Sequence, residues 1–194
     1  MKRLFPLLIV VLTLFYGCHP RIDYTPKPSA YLRFDFPAKS YAVFDTAALP
    51  FTFERATNSL VAMKKDTRQD KWVDITYPHY NGVEFLSYKP LRGPQDLASQ
   101  IDTSYELLKM HFDHSTGVDE SQFYNPSHHV FATTYLLKGS NVASTYQFWV
   151  TDSVNHFLRG SLYLDCTPNN DSLAPVLDYL RQDLNHLLET LEWR

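Results

Sequence analysis

An α+β domain, with an antiparallel β-sheet and two main helices packed on it, is the fold class this sequence predicts. Three observations carry the prediction. Short alternating runs bounded by turn residues fill Tyr31 to Tyr88; three more such runs lie close together between Val130 and Leu164; and each group is followed by an apolar stripe at helical spacing. Strands that precede and follow a helix in separate blocks pair antiparallel, whereas strict strand–helix alternation would argue for a parallel sheet.

The elements follow in order. Candidate strands are Tyr31 to Phe36, Phe51 to Glu54, Leu60 to Lys64, Trp72 to Tyr77 and Val83 to Tyr88. In WVDITY, Val73, Ile75 and Tyr77 share one face and Trp72, Asp74 and Thr76 the other, the pattern of a half-exposed strand. Gly93-Pro94 then opens a helix, since proline suits the first helical position and Asp96 meets the positive end of the helix dipole. Leu97, Ile101, Tyr105, Leu108 and Phe112 form its apolar stripe. Val130 to Leu137, Ser144 to Val150 and His156 to Leu164 are separated by short turn-forming segments and read as an antiparallel meander. Tyr146, Phe148 and Val150 share a face of the middle strand, leaving Trp149 on the other for a partner or, as the core reading has it, a second helix to cover. The last helix opens at Pro168 to Ser172 with Asp171 or Ser172 as N-cap and Pro175 in its first turn, and its stripe is Leu173, Leu177, Leu180, Leu184, Leu187 and Leu191.

Ahead of this domain stand two segments of other character. Lys2 and Arg3 followed by an apolar run from Leu4 to Tyr16 form the basic and hydrophobic regions of a secretory signal, too short to span a bilayer, which takes about 20 apolar residues. Phe15-Tyr16-Gly17-Cys18 resembles a bacterial lipobox, so residues 1–17 are expected to be removed and Cys18 to become the lipid attachment site. Several acyl chains on one cysteine anchor a protein stably, whereas a single chain holds it only marginally. Residues 18–30 hold Pro20, Pro26 and Pro28 with no apolar periodicity, an extended tether able to reach roughly 35 Å. Residues 31–194 are read as one domain.

Loss of Lys2 and Arg3 leaves 16 of the 18 basic side chains against 21 acidic ones, a formal charge of -5, which argues against nucleic acid as a partner. With Cys18 lipidated, Cys166 is the one remaining thiol; an intramolecular disulfide is then ruled out and a small buried thiol near a strand end is expected.

The residues offer little for catalysis, metals or cofactors. Gly139-Ser140 and Gly160-Ser161 lack the second half of a GxSxG elbow, and no glycine pattern cradles a phosphate. His128 and His129 are adjacent in or just before a strand, so their side chains are expected on opposite faces. His111 and His114, with Asp113 or Glu120, could chelate an ion but read as solvated helix-end residues favoured by the dipole. Asp152 and Arg159 are expected to form a solvated or structural pair across a hairpin, with a binding role for Arg159 as the alternative. No cofactor is expected.

Two resemblances follow. The order of elements is similar to that of PsbP/Mog1-like domains. The stretches PKPSAYLRFDFP (26–37), LPFTFE (49–54), WVDITYP (72–78), LSYKP (86–90), TYQFWVTDSVNHFLRGSLYL (145–164) and PNNDSLAPVLDYLRQDLNHLLETLEW (168–193) resemble the gliding-motility lipoprotein GldD family over nearly the whole chain after the lipobox. That resemblance implies a non-enzymatic cell-envelope lipoprotein required for gliding motility and type IX protein secretion, an accessory or assembly component with protein partners in that machinery. It implies no active-site residue beyond the lipidated Cys18. His19-Pro20-Arg21 carries no acidic cluster of the kind that resembles a surface-export signal, so the periplasmic face of the outer membrane is expected. A lipoprotein that binds a lipid or small molecule in the periplasm is the alternative expectation.

Overall fold

The computed structural model describes residues 33–64 and 70–194. The expected signal segment, Cys18, the tether, and Tyr31 and Leu32 of the expected first strand lie outside the described residues.

Among the described residues ten strands and two α-helices follow one another: β1 (Tyr41–Phe44), β2 (Phe51–Ala56), β3 (Leu60–Lys64), β4 (Lys71–Tyr77), β5 (Gly82–Pro90), α1 (Pro94–Lys109), β6 (Gly117–Asn125), β7 (Val130–Lys138), β8 (Tyr146–Thr151), β9 (His156–Leu164), α2 (Asn170–Glu189) and β10 (Glu192–Trp193). Seven strands form an antiparallel sheet in the order β3-β4-β5-β9-β8-β7-β6, and β1-β2-β10 form a small second sheet. The fold class expected from the sequence is the one found.

Alternation decides which face each strand buries. On one face of the large sheet stand Val73, Ile75 and Tyr77 of β4, Leu86 and Tyr88 of β5, Tyr146, Phe148 and Val150 of β8, and Leu158 and Leu162 of β9, all buried. Against them pack Val176, Tyr179, Leu180, Leu184, Leu187 and Leu188 of α2, with Phe51 and Phe53 of the small sheet. Each such side chain contributes roughly 1.5–3 kcal/mol on leaving water, so this layer is the main stabilising mass. The opposite face is covered more thinly by α1, where Leu108, Tyr135, Leu137 and Val142 form a second cluster joined by Phe112 and Trp149. Trp149 lies flat on Phe157, with ring centres 6.1 Å apart, as the helix-covered reading requires.

Several details differ from the sequence expectation. Arg33 to Phe36 form no strand; Phe34 and Phe36 are half-buried and their neighbours exposed, but the alternation is satisfied by side-chain packing rather than by a ladder. Proline at 37 would in any case remove a ladder donor. Strand β6, GVDESQFYN, was not foreseen because it is an edge strand with five consecutive exposed residues, the charged composition that blunts an open edge. In α1 the buried line runs through Ser104 and Leu108, while Tyr105 is 44% exposed and Phe112 sits beyond the helix in a single 3₁₀ turn. Helix α2 begins at Asn170, with Asn169 at the cap position, so neither Asp171 nor Ser172 caps it; Asp171 instead accepts the Ser140 hydroxyl. Asn170 ties the start of α2 to the β7–β8 connection through its amide, which donates to the Gly139 and Val142 carbonyls. Pro175 falls in the second turn rather than the first.

Candidate functional site

Where the chain enters the domain from its N-terminal side, residues Phe34 to Tyr41 lie along α2 and are fastened to it. Phe36 stacks on Tyr179 of α2 at 4.7 Å, and the Tyr179 hydroxyl donates to the Pro37 carbonyl. Lys39 Nζ sits 2.7 Å from both the Tyr179 carbonyl and Asp183 Oδ1, and 3.1 Å above the Tyr179 ring. Asp183 occupies a position on the buried leucine face of α2 and is 3% exposed, so an unpaired carboxylate there would be costly. Lys39 and the Tyr41 hydroxyl, 3.1 Å away, supply the partners. Burial lowers the Lys39 ammonium from its ordinary value, with Asp183 working against that shift. Burial and Asp183 together push the Tyr41 phenol up to about 12. Tyr41 also stacks on His186 at 3.6 Å, and His186 Nε2 lies 2.6 Å from Glu54 Oε2.

Beneath α2 the sheet buries a second acid. Glu84 of β5 points to the same face as Leu86 and Tyr88, is 0% exposed, and neither carboxyl oxygen completes a hydrogen bond. Burial raises its carboxyl well above the ordinary carboxylate range; the Arg159 charge and the nearby Ser161 amide oppose this without overcoming it. Space for the carboxyl comes from Gly160, whose hypothetical Cβ would stand 2.4 Å from Glu84 Oε1 and 2.3 Å from the Phe148 ring. Neither Glu84 nor Asp183 was singled out from sequence. The signal was present in both: Glu84 shares a strand face with Leu86 and Tyr88, and Asp183 interrupts the α2 stripe between Leu180 and Leu184.

At one end of the large sheet, the residues before β7, the β8–β9 turn and the chain around β10 enclose a groove of about 530 Å³. His128 and His129 both border it, contrary to the expectation of opposite faces. They lie in a 3₁₀ turn and its left-handed exit, His129 having φ 52°, so strand alternation does not apply. His156 stacks on Trp193 at 5.0 Å and its Nδ1 lies 2.9 Å from the Tyr88 hydroxyl. His128 Nδ1 is 3.5 Å from Glu192. Asp152 does not pair with Arg159: its Oδ1 accepts the backbone N–H groups of Val154, Asn155 and His156 at 3.0, 2.8 and 2.8 Å, closing the β8–β9 turn. Burial alone would raise the Asp152 carboxyl, but these three donors hold it below its ordinary value. His111 is half-buried against Tyr163, 3.4 Å from its hydroxyl, and burial lowers its imidazole. Among the described residues, no three His, Cys, Asp or Glu side chains converge as a metal site.

Arg159 belongs to the other face. It projects from β9, the middle strand of seven, under α1, and donates to Gln147 Oε1 at 2.6 Å. Beside it a pocket of about 140 Å³ opens between the sheet and α1. Of the two serines that follow glycines, Ser161 is buried and Ser140 is bonded to Asp171. Cys166 is exposed rather than buried, because the chain leaves the sheet after Leu164 and bends outward before α2.

A family model described as gliding motility lipoprotein GldD matches residues 21–193. The chain belongs to the GldD family. Membership makes it a lipoprotein of the gliding-motility kind, envelope-associated and held by lipid. Among the described residues of this GldD chain no helix is long and apolar enough to cross a membrane. No curated protein matches its sequence. Among solved structures it is similar to the solution structure of cyanobacterial PsbP (CyanoP) from Synechocystis sp. PCC 6803, at 10% identity and a TM-score of 0.47, over 84% of this chain and 98% of that one.

Proposed function

We propose that the chain is a non-enzymatic lipoprotein, anchored by acyl chains on Cys18 after residues 1–17 are removed, that serves gliding motility and type IX protein secretion as an accessory or assembly component. It faces the periplasm from the outer membrane and acts by contact with proteins of that machinery. The observation that carries this reading is the family match across residues 21–193, directly following a lipobox. The fastening of Phe36, Lys39 and Tyr41 to α2 supports it, since a domain tethered by its N-terminus needs that end held firmly if it is to present a defined surface.

Replacing Cys18 by Ser tests the anchor. The variant is expected to lose lipid labelling, to leave the membrane fraction, and to reduce gliding and secretion to the level of a deletion strain. A normally processed, membrane-bound and fully active Cys18→Ser protein would overturn the proposal. Crosslinking in intact envelopes should also recover subunits of the secretion and motility machinery. The second reading, a ligand-binding lipoprotein, has one specific observation in its favour, the pocket beside Arg159.

A further inference from the structure

The centre of the large sheet holds a cation whose charge the fold does not neutralise. Arg159 comes from the middle strand and is half-buried beneath α1, and its hydrogen-bond partner is the neutral Gln147 amide. Among the described residues no carboxylate lies within ion-pair distance of it. Glu84, whose charge acts on Arg159, lies on the opposite face of the sheet, and burial holds it toward the neutral form. A desolvated guanidinium is costly unless it is paired, and it carries five N–H donors in a planar fork. Next to it, Gln147 Nε2 is buried without a partner, one more donor on the same face.

The pocket that opens on this group has a consistent character. Its walls are Trp72, Leu107 and Phe157, and Lys89 contributes to its lining, 4.0 Å from Asp70. The residues of α1 that look into it are Gln100, Thr103, Ser104 and Leu107, so the helix offers no charge there, while Asp102 and Glu106 of the same helix are not part of the lining. An anion entering this space meets two cations, Arg159 and Lys89, and otherwise an apolar or neutral surface.

We propose that this pocket is a binding site for a small monocarboxylate with a short apolar body, its carboxylate taken by the Arg159 fork and its body lodged between Trp72, Leu107 and Phe157. A carboxylate is favoured over phosphate because the Gln100 amide and the Thr103 and Ser104 hydroxyls of the lining already donate within α1 and Lys89 lies beside Asp70, leaving chiefly the planar Arg159 fork, whereas a phosphate needs donors around three oxygens. A zwitterion is disfavoured because the lining holds no acid for its ammonium group. This inference is independent of how the lipoprotein serves its machinery, so either can fail without the other.

The test uses the purified full-length chain in detergent and three probes: butyrate, benzoate and inorganic phosphate. Titrations followed by tryptophan fluorescence and calorimetry are expected to show saturable binding of butyrate or benzoate, with phosphate at least about tenfold weaker. Arg159→Gln should weaken carboxylate binding by about tenfold or more. Leu107→Trp, which fills the pocket and leaves Arg159 in place, should weaken it comparably. Circular dichroism confirms that each variant is folded; should Arg159→Gln not fold, Leu107→Trp and the three-probe ranking on the unaltered chain carry the decision. Absence of saturable carboxylate binding, phosphate binding as tightly as benzoate, or full affinity in a folded variant overturns the proposal.

Discussion

At Gly160 the residue itself is the structural element, since the backbone of β9 comes so close to the Phe148 ring and the Glu84 carboxyl that a single added methyl has nowhere to go. Gly160→Ala is therefore expected to lower stability by about 2–3 kcal/mol, the cost of forcing a packed core apart, measured as a fall in the urea midpoint at unchanged m-value. An alanine variant within about 0.5 kcal/mol of the parent would mean that the ring and carboxyl move aside freely. The glycine was visible in the sequence, but its partners were not. It follows Arg159 in an apolar strand, and only the registers Phe148 to Gly160 and Leu86 to Gly160 set it between two large neighbours.

At the scale of elements, the contact that defines this domain is the docking of its N-terminal segment on α2. Lys39 and Asp183 lie 144 positions apart in sequence and form a nearly buried ion pair at 2.7 Å. Removing one partner of such a pair strands the other. Lys39→Met is expected to destabilise by about 3 kcal/mol and to speed proteolytic cleavage in residues 33–41, whereas Lys39→Met combined with Asp183→Leu should recover much of that loss. A double variant that loses the sum of the two single effects would show that the pair contributes nothing as a pair. Sequence periodicity found α1, α2 and the meander because each carries its own apolar stripe or alternation. It missed β1, β6 and β10, which are two to nine residues long and owe their strand form to the neighbour they pair with.

For the molecule as a whole, the buried acid Glu84 ties folding to pH. Its folded-state value lies above the unfolded one, so folding takes up a proton; the stability this confers is complete below the unfolded carboxylate range near pH 4.3 and is lost as pH rises through the raised folded value. Asp152 has the opposite sign: its contribution is present above the unfolded value and lost as pH falls through the lowered folded one. Glu84→Gln removes the first effect. The stability of the variant relative to the parent should grow with pH, by up to about 1.4 kcal/mol per pH unit, in urea unfolding followed from pH 5 to pH 8. A difference that stays constant across that range would show that Glu84 titrates normally inside the core.

The sequence by itself determined what depends on local order along the chain: strand and helix periods, the proline-rich segment, the resemblance of residues 15–18 to a lipobox, the family, and through these the class of fold. Tertiary structure alone decided what depends on distant residues meeting. It put His128 and His129 on one groove, turned Asp152 away from Arg159 to close its own hairpin, exposed Cys166, and set Arg159 on the opposite face of the sheet from Glu84. The reason is that hydrophobic burial is non-directional and is written as a repeating pattern, while the neutralisation of a charge or a hydrogen bond requires a particular partner at a particular distance, which no period along the chain encodes.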